Sequence, residues 1–276
     1  MAPTLFHIFR NTPLGRETLL QSIYFCNRVG TRLVIYIPEF TKFLMYFEND
    51  VVQIDLDHSY LTAPQTARSH AADVARRGSI EPTFLTPKHY TASTLPDIPT
   101  NCAFMSCPRS ISDLSSKIGL GYIGPRVRRI VRSARFPVLI TSPVYKPWNS
   151  VAVFFGGSAN AVKALKLGIR ISRESELPLD IYTQIEHKDR SHYQAIVRQE
   201  QLDQTLERHV RAWHFFEAGK FEENLYDIPH DALVVLGAFG HGLIKDFVFG
   251  SKMEKIQSTI SNNLLIVGPQ YTAGLR

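Results

Sequence analysis

The chain has little cysteine, and its cysteines and histidines form no metal-binding pattern. The three cysteines, Cys26, Cys102 and Cys107, include no C-x2-C pair, which argues against a disulfide framework or a zinc site. The ten histidines include no H-E-x-x-H, the arrangement that many zinc enzymes use. We therefore expect free thiols buried in a core and no metal centre.

Long apolar runs are also lacking. No stretch of about 20 apolar residues occurs, so we expect no membrane span. The N-terminal residues lack the basic start and the apolar centre of a signal peptide. These two features predict a cytoplasmic protein. The formal net charge of +6 and the pI near 9.2 suit an anionic ligand but do not identify one.

The length of 276 residues, 44% of them hydrophobic, predicts two domains with substantial cores. Comparison of the two halves indicates an internal duplication, in which strands alternate with helices in the same order. Such alternation predicts a parallel sheet covered by helices on both faces. We predict domains at residues 1–143 and 150–276, joined by a short linker that contains two prolines.

A buried strand followed by spaced glycines lies in the second half. The apolar run Ala232–Leu236 predicts a parallel strand buried on both faces, and Gly237 and Gly240 follow it. Gly250-Ser251 then precedes apolar residues at helical spacing. We expect a helix to begin there, and its free N–H groups and positive dipole end would attract an anion.

The spacing Gly237-x2-Gly240-x9-Gly250-Ser251 resembles that of the nucleotide-binding branch of the universal stress protein family. The resemblance implies an α/β fold with two tandem doubly wound parallel five-stranded sheets (adenine-nucleotide α-hydrolase-like, Rossmann-like), packed as a pseudo-dimer. It also implies ATP or AMP, alone or with Mg²⁺, bound in the second domain. The other interpretation of the spacing is a glycine-rich loop that only turns the chain.

The family likeness assigns a role to each matching position. Backbone amides are expected around the phosphates and ribose, and Gln184 lies where the family contacts adenine. Gly156 stands where family members usually carry an acidic residue that contacts the nucleoside, and this departure weakens the prediction of tight adenosine binding. The predicted nucleotide site comprises Gly156, Gln184, Gly237, Gly240, Gly250, Ser251 and Lys252.

The first copy lacks this motif. We interpret Ser106 and Arg109 as the residues in the places of Gly237 and Gly240. Pro125 replaces the serine, which removes a hydroxyl group and a backbone N–H donor. We therefore expect little or no nucleotide in the first copy.

Two further features belong to the first copy alone. An insertion within Phe40–His58 has alternating apolar residues and predicts a hairpin, either added to or capping the sheet or acting as a partner surface. A helix at Arg126–Arg135 carries five arginines and no acidic residue. Such a row is typical of a solvated face or a domain contact. Nucleic acid is not expected, because no interleaved aromatic residues or known motif accompany the charges.

These features favour an adenine-nucleotide-binding regulatory protein of the stress response, with a protein partner as a further possibility. It would be a monomer built as an intramolecular pseudo-dimer, or a homodimer. One alternative is a nucleotide-independent tandem scaffold that acts through protein partners. Another is a slow ATPase or an adenine-nucleotide α-hydrolase-like enzyme. No catalytic residue is predicted, because the second copy has no Ser/His/Asp order and no informative pair of carboxylates.

Overall fold

The computed structural model describes residues 2–56, 63–87, 94–111, 123–185, 188–238 and 260–272. The elements of the first half are β1 (Thr4–Ile8), α1 (Pro13–Val29), β2 (Arg32–Tyr36), β3 (Lys42–Phe47), β4 (Asp50–Asp55), α2 (Pro64–Arg77), β5 (Thr83–Phe84), β6 (Asp97–Pro99), β7 (Phe104–Cys107), α3 (Pro125–Ser133) and β8 (Val138–Ile140).

The second half repeats the alternation of strands and helices. Its elements are β9 (Ser150–Phe154), α4 (Ala159–Ser175), β10 (Leu179–Gln184), α5 (Arg190–Gln199), α6 (Asp203–His209), β11 (Val210–Phe216), α7 (Phe221–Asn224), β12 (Ala232–Gly237) and β13 (Leu264–Val267). Among the described residues, no helix combines the length and the hydropathy that a membrane span requires.

Ten of the strands form one sheet in the order β11-β10-β9-β12-β13-β8-β7-β1-β2-β5. Within each half the pairing is parallel. The two halves meet where β13 pairs antiparallel with β8, Leu265 opposite Leu139. The predicted doubly wound α/β fold is confirmed, and its two five-stranded units are joined edge to edge in a continuous sheet.

The central strands are apolar along their whole length because both faces of the sheet are covered. All six residues of β12 and all five of β9 are buried. Helices α1, α2, α4 and α5 pack on one face, around Leu19, Ala71 and Leu165. The other face is covered by α3 and by a small second sheet in the first half.

Helices α1 and α4 begin at side-chain caps. Thr12 Oγ1 accepts a hydrogen bond from Gly15 N (3.0 Å), and Ser158 Oγ accepts one from Ala161 N (3.2 Å). These caps satisfy N–H groups that have no partner within the helix. Helix α1 ends at Gly30, whose φ of +66° is easily reached by a glycine.

The predicted hairpin within Phe40–His58 is confirmed. Strands β3 and β4 pair antiparallel, Phe47 opposite Asp50, and β6 pairs with β3 to complete a separate three-stranded sheet. Its apolar side chains pack onto the main sheet; for example, the rings of Phe43 and Tyr36 lie 5.2 Å apart between centroids. The insertion therefore covers the main sheet and does not extend it.

The sequence pattern predicts a short first strand at His7–Asn11 and a single long helix at His192–His209, and the bounds of both elements are wrong. Strand β1 covers Thr4–Ile8 and not His7–Asn11, since the chain leaves the strand after Ile8 and bends at Asn11 and Thr12 before α1. The single helix predicted at 192–209 is two helices. Gln201 takes a left-handed conformation (φ +57°) and Leu202 N bonds to Val197 O at 3.0 Å, so the first helix ends before the second begins.

Candidate functional site

The second half has a topological switch point between β9 and β12. These strands are parallel neighbours, with Val153 opposite Val235. From β9 the chain continues through α4 to β10 on one side, whereas β13 lies on the other side of β12. The strand order therefore reverses between β9 and β12, and doubly wound proteins bind ligands in the crevice beyond the carboxyl ends of the strands at such a point.

A tight turn leads from β9 into α4 at this edge. Gly157 has a φ of +73°, and a Cβ added there would lie 2.9 Å from Ile196 Cδ1. Gly156, half-buried, precedes it without a positive φ. Helix α4 then begins at Ala159 with no acidic residue in its first turn. The positive end of the helix dipole therefore lies at the carboxyl end of β9, and no carboxylate in the first turn of the helix neutralises it.

Gly237 ends β12 directly beside the start of α4. A Cβ at this position would overlap the carbonyl oxygen of Asn160 and lie 2.9 Å from Ala161 N. Asn160 Nδ2 donates to Ala238 O at 2.6 Å, which ties the strand end to the helix. Close backbone packing therefore explains the glycine at position 237 without a ligand.

Gln184 lies at the carboxyl end of β10, where its side-chain amide is bonded within the protein. Its Oε1 accepts a hydrogen bond from Asn224 Nδ2 (2.7 Å), and its Nε2 donates to Phe216 O (3.3 Å). The side chain is 7% exposed. A base at this position would have to share these groups or displace Asn224.

Aromatic side chains of β10 and of its neighbour β11 lie close to Gln184. The rings of Tyr182 and His214 are stacked with centroids 4.7 Å apart, and Phe216 lies 6.1 Å from Tyr182. Burial raises the pKa of Tyr182 to about 12, so its phenol remains protonated at neutral pH.

The remaining predicted site residues, Gly240, Gly250, Ser251 and Lys252, lie outside the described residues. They stay predictions. Of the predicted set, the structure places Gly156 and Gly237 at the ends of the adjacent strands β9 and β12, and Gln184 at the end of β10. Within the described ranges, no group of three or more His, Cys, Asp or Glu side chains suits a metal ion.

The first half corrects the sequence-based alignment of the two copies. Ser106 pairs with His7 as Val235 pairs with Val153. Ser106 is therefore the counterpart of Val235, and the residue in the place of Gly237 is Pro108, two positions further on. The interpretation of Ser106 and Arg109 as counterparts of Gly237 and Gly240 is wrong by two residues, because the unequal loops that follow hide the register of the strands.

The same comparison identifies a residue that sequence reasoning missed. Phe9 N donates to Tyr36 O and Phe155 N donates to Tyr182 O, both at 2.9 Å. These equivalent bonds place Arg10 where the second half has Gly156. An arginine at the strand end, with a proline in place of the glycine, makes the edge of the first half chemically different from that of the second.

A buried polar cluster, His7, Ser22 and Ser106, lies between β1, β7 and α1. Ser22 Oγ lies 3.0 Å from His7 Nδ1 and 2.8 Å from Ser106 Oγ. Burial, with a smaller contribution from Arg10, lowers the pKa of His7 to about 3. The imidazole is therefore neutral at physiological pH. The second half has Val153 and Gly168 in the places of His7 and Ser22.

Two arginines of α3 and one just after its end form ion pairs with the inserted hairpin. Arg129 Nη2 lies 2.7 Å from Asp50 Oδ1, and further pairs join Arg126 to Asp55 and Arg135 to Glu48. Hydrogen bonds from Arg129 and Ser133 lower the pKa of Asp50 to about 2. Of the interpretations of the arginine row, contact with another part of the fold is therefore the one that the structure supports.

The strand order and the parallel pairing within each half define a doubly wound α/β protein with a topological switch point in its second half. No protein-family model matches the chain. A curated universal stress protein from Synechocystis sp. is 29% identical over 149 residues, which are 51% of this chain and 50% of that protein. The match therefore spans about half the length of the curated relative.

Solved structures of universal stress proteins have the same fold. One from Archaeoglobus fulgidus is 16% identical and covers 96% of each chain with a TM-score of 0.63. A putative universal stress protein from Pseudomonas aeruginosa is 11% identical and covers 98% of this chain and 94% of its own, with a TM-score of 0.56. The resemblance to the universal stress protein family, predicted from the glycine spacing, is thereby confirmed.

Proposed function

We propose that the second half binds an adenine nucleotide, ATP or AMP, and that the chain is a regulatory protein of the stress response. The observation that carries the proposal is the convergence of Gly156, Gly237 and the start of α4 at the switch point between β9 and β12. The spaced glycines of the predicted phosphate loop continue directly from Gly237. The curated relative, a universal stress protein, supports the stress-response role.

The described residues fit the phosphate end of a nucleotide better than its base. Two consecutive glycines and a capped helix start leave backbone N–H groups beside the crevice, which is how helix termini bind phosphate. Gln184 already uses its amide within the protein. We therefore expect the phosphates to contribute more than adenine to the affinity. Triphosphate should accordingly bind more tightly than monophosphate.

Calorimetric titration of the full chain with ATP and with AMP, each with and without Mg²⁺, tests this proposal. One site per chain is expected, and Gly240→Val or Gly250→Val should weaken binding at least about tenfold, a loss of about 1.4 kcal/mol. Ala218→Val, at an exposed position, is the matched control. Absence of heat with both nucleotides under all conditions would refute the proposal.

A gain-of-function variant makes the test sharper. Gly156→Asp restores an acidic residue where the family resemblance places one, and we expect its carboxylate to accept hydrogen bonds from the ribose hydroxyls. ATP affinity should rise by about fivefold to tenfold, the value of one charge-assisted hydrogen bond. Ala159→Asp adds the same charge at an exposed position three residues further on and should bring no gain. Equal effects of the two variants would contradict a nucleoside contact at position 156.

A nucleotide-independent scaffold is the second candidate. The observations that favour it are the internal bonding of Gln184 and the packing role of Gly237, because neither residue needs a ligand. Mass spectrometry of the protein purified under non-denaturing conditions distinguishes the two. Co-purified adenine nucleotide supports the first function, whereas a nucleotide-free protein that also gives no heat with ATP supports the scaffold.

A further inference from the structure

A cavity of about 540 Å³ lies at the amino ends of the strands in the first half. Its floor is formed by the residues that begin or precede three strands, Thr4 of β1, Arg32 of β2 and Ala103 before β7. Because β13 pairs antiparallel with β8, the amino ends of the first-half strands lie at the same edge of the sheet as the carboxyl ends of the second-half strands, where the nucleotide is proposed to bind. Strands β13, β8 and β7 lie between β12 and β1, which separates these two strands by about 20 Å at about 4.8 Å per strand. The cavity is therefore a separate place on the molecule.

The inserted hairpin and the end of α3 form the walls of this cavity. Phe47 and Glu48 contribute from the hairpin, Ser133 contributes from the end of α3, and Arg135 and Phe136 contribute from the residues just after it. Ser133 Oγ donates to Asp50 Oδ2 at 2.6 Å, which holds the two walls together. In the second half β10 is followed closely by α5, so the hairpin that builds the cavity is a property of the first half.

The cavity carries an excess of positive charge. Arg135 forms an ion pair with Glu48. The Arg32 guanidinium is exposed and has no ion-pair partner among the residues that the structure describes. The lining of the cavity therefore has one positive charge, that of Arg32, that no described acidic side chain neutralises. A guanidinium presents a planar set of donors that matches a carboxylate.

The cavity also has an apolar side and neutral polar groups. The rings of Phe47 and Phe136 lie 6.2 Å apart between centroids, and Thr100, Asn101 and Cys102 form the opposite rim. The Thr100 hydroxyl donates to Tyr46 O, which fixes that rim to the hairpin. Apolar walls with a few polar groups are typical of sites for small organic molecules.

We propose that this cavity is a binding site for a small organic anion that combines one carboxylate with a flat apolar body. Arg32 binds the carboxylate of the ligand, and the apolar body of the ligand lies against Phe47 and Phe136. Arg135 also attracts the carboxylate of the ligand, but Glu48 competes with it for the Arg135 guanidinium. Glu48 limits the affinity because its carboxylate already occupies the second guanidinium. The site is separate from the proposed nucleotide site, which lies several strands away along the same edge of the sheet.

Benzoate is a suitable probe, with benzamide as its uncharged counterpart. Titration followed by amide and arginine Nε–H NMR signals should show saturable shifts at Arg32 and Arg135 with benzoate, and weaker ones with benzamide. Inorganic phosphate, which has charge without an apolar body, should bind more weakly than benzoate. Addition of ATP should leave the benzoate shifts unchanged.

Three substitutions of exposed charged side chains should change the affinity for benzoate in different directions. Arg32→Gln should weaken benzoate binding about tenfold. Glu48→Gln should strengthen it several-fold by releasing Arg135. Arg77→Gln, on α2 and outside the cavity, should change nothing. Equal binding of benzoate and benzamide, weaker binding in Glu48→Gln, or no saturable shift at these residues would overturn the proposal.

Discussion

Gly237 and Gly168 are positions where a backbone and its neighbour approach too closely for a side chain. At Gly168 a Cβ would overlap Val153 Cγ2, a side-chain atom, whereas at Gly237 it would overlap the carbonyl oxygen of Asn160. A side chain can rotate away from such a contact, but a helix backbone has to move. The cost should therefore be larger at Gly237.

Gly237→Ala should lower the free energy of unfolding by about 1–3 kcal/mol, because the added methyl group pushes β12 away from α4. Gly124→Ala is the matched control, since its new Cβ would lie 3.1 Å from the movable Ser110 Oγ. Urea denaturation of both variants provides the measurement. A loss at Gly124 as large as that at Gly237 would contradict the backbone argument.

His7 should make stability depend on pH below neutrality. Its pKa is about 3 in the folded protein and about 6.5 in an unfolded chain. Between these two pKa values the imidazole is protonated in the unfolded state and neutral in the folded state. The free energy of unfolding therefore falls as the pH drops from about 6.5 towards 3, by at most about 1.4 kcal/mol per pH unit. Above pH 6.5 this contribution vanishes.

His7→Val, which copies Val153 of the second half, should flatten this decline, as measured by urea denaturation between pH 7 and about pH 4. Ser22 keeps its hydrogen bond to Ser106 in the variant. His209→Gln changes an exposed histidine and should leave the decline intact. An identical pH slope in wild type and His7→Val would show that His7 is not its source.

Among the elements, the contact between the hairpin and α3 depends on ion pairs as well as on apolar packing. Asp50 accepts hydrogen bonds from Arg129 Nε (3.1 Å) and Nη2 (2.7 Å), a two-point contact. The Asp50 side chain is 29% exposed and that of Arg129 is 56% exposed. Solvent therefore screens the pair, and its contribution should be modest.

A double-mutant cycle with Asp50→Asn and Arg129→Gln should give a coupling energy of about 0.5–1 kcal/mol that decreases with added salt. The comparison is Asp73 with Arg76, where the atoms are 4.0 Å apart and both side chains are more than half exposed. That cycle should give a value close to zero. Coupling at Asp50 no greater than at Asp73 would exclude a specific contribution of the pair.

Features that depend on neighbouring residues in the sequence could be predicted well. Features that depend on residues far apart in the chain could not. Thr12 and Ser158 indicate helix starts because a side-chain oxygen can cap the nearby N–H groups. The left-handed conformation of Gln201 has no such signal, so the break between α5 and α6 was missed. The counterpart of Gly237 could be found only from strand register, which identifies Pro108. The cavity at Arg32 was also missed, because its lining residues come from five separate parts of the chain.

At the scale of the whole molecule, polar side chains connect the halves beside the antiparallel pairing of β8 and β13. Arg109 Nη2 donates to Ile260 O (3.0 Å) and Asn262 O (3.3 Å). Burial lowers the pKa of Arg109 to about 10, so it remains charged at neutral pH. A buried charge satisfied by carbonyl groups of the other half makes separation of the halves costly.

Asn263 forms the most extensive of these connections among the described residues and provides a test. Its Oδ1 accepts a bond from Ser142 N (2.9 Å), and its Nδ2 donates to Gln21 Oε1 and Lys146 O, both at 3.1 Å. Asn263→Ala leaves these groups without their hydrogen-bond partner, so the free energy of unfolding should fall by about 1–3 kcal/mol. Asn149→Ala, at an exposed position, should change stability by less than about 0.5 kcal/mol.

Because the sheet is continuous, we expect the two halves to unfold together in both variants, with coincident transitions by circular dichroism and tryptophan fluorescence. A shift of the whole transition in Asn263→Ala is the expected result. Two separate transitions, only one of which responds to the substitution, would show that the halves are independent units. The antiparallel pairing of β8 and β13 would then be too weak to couple the stability of one half to that of the other.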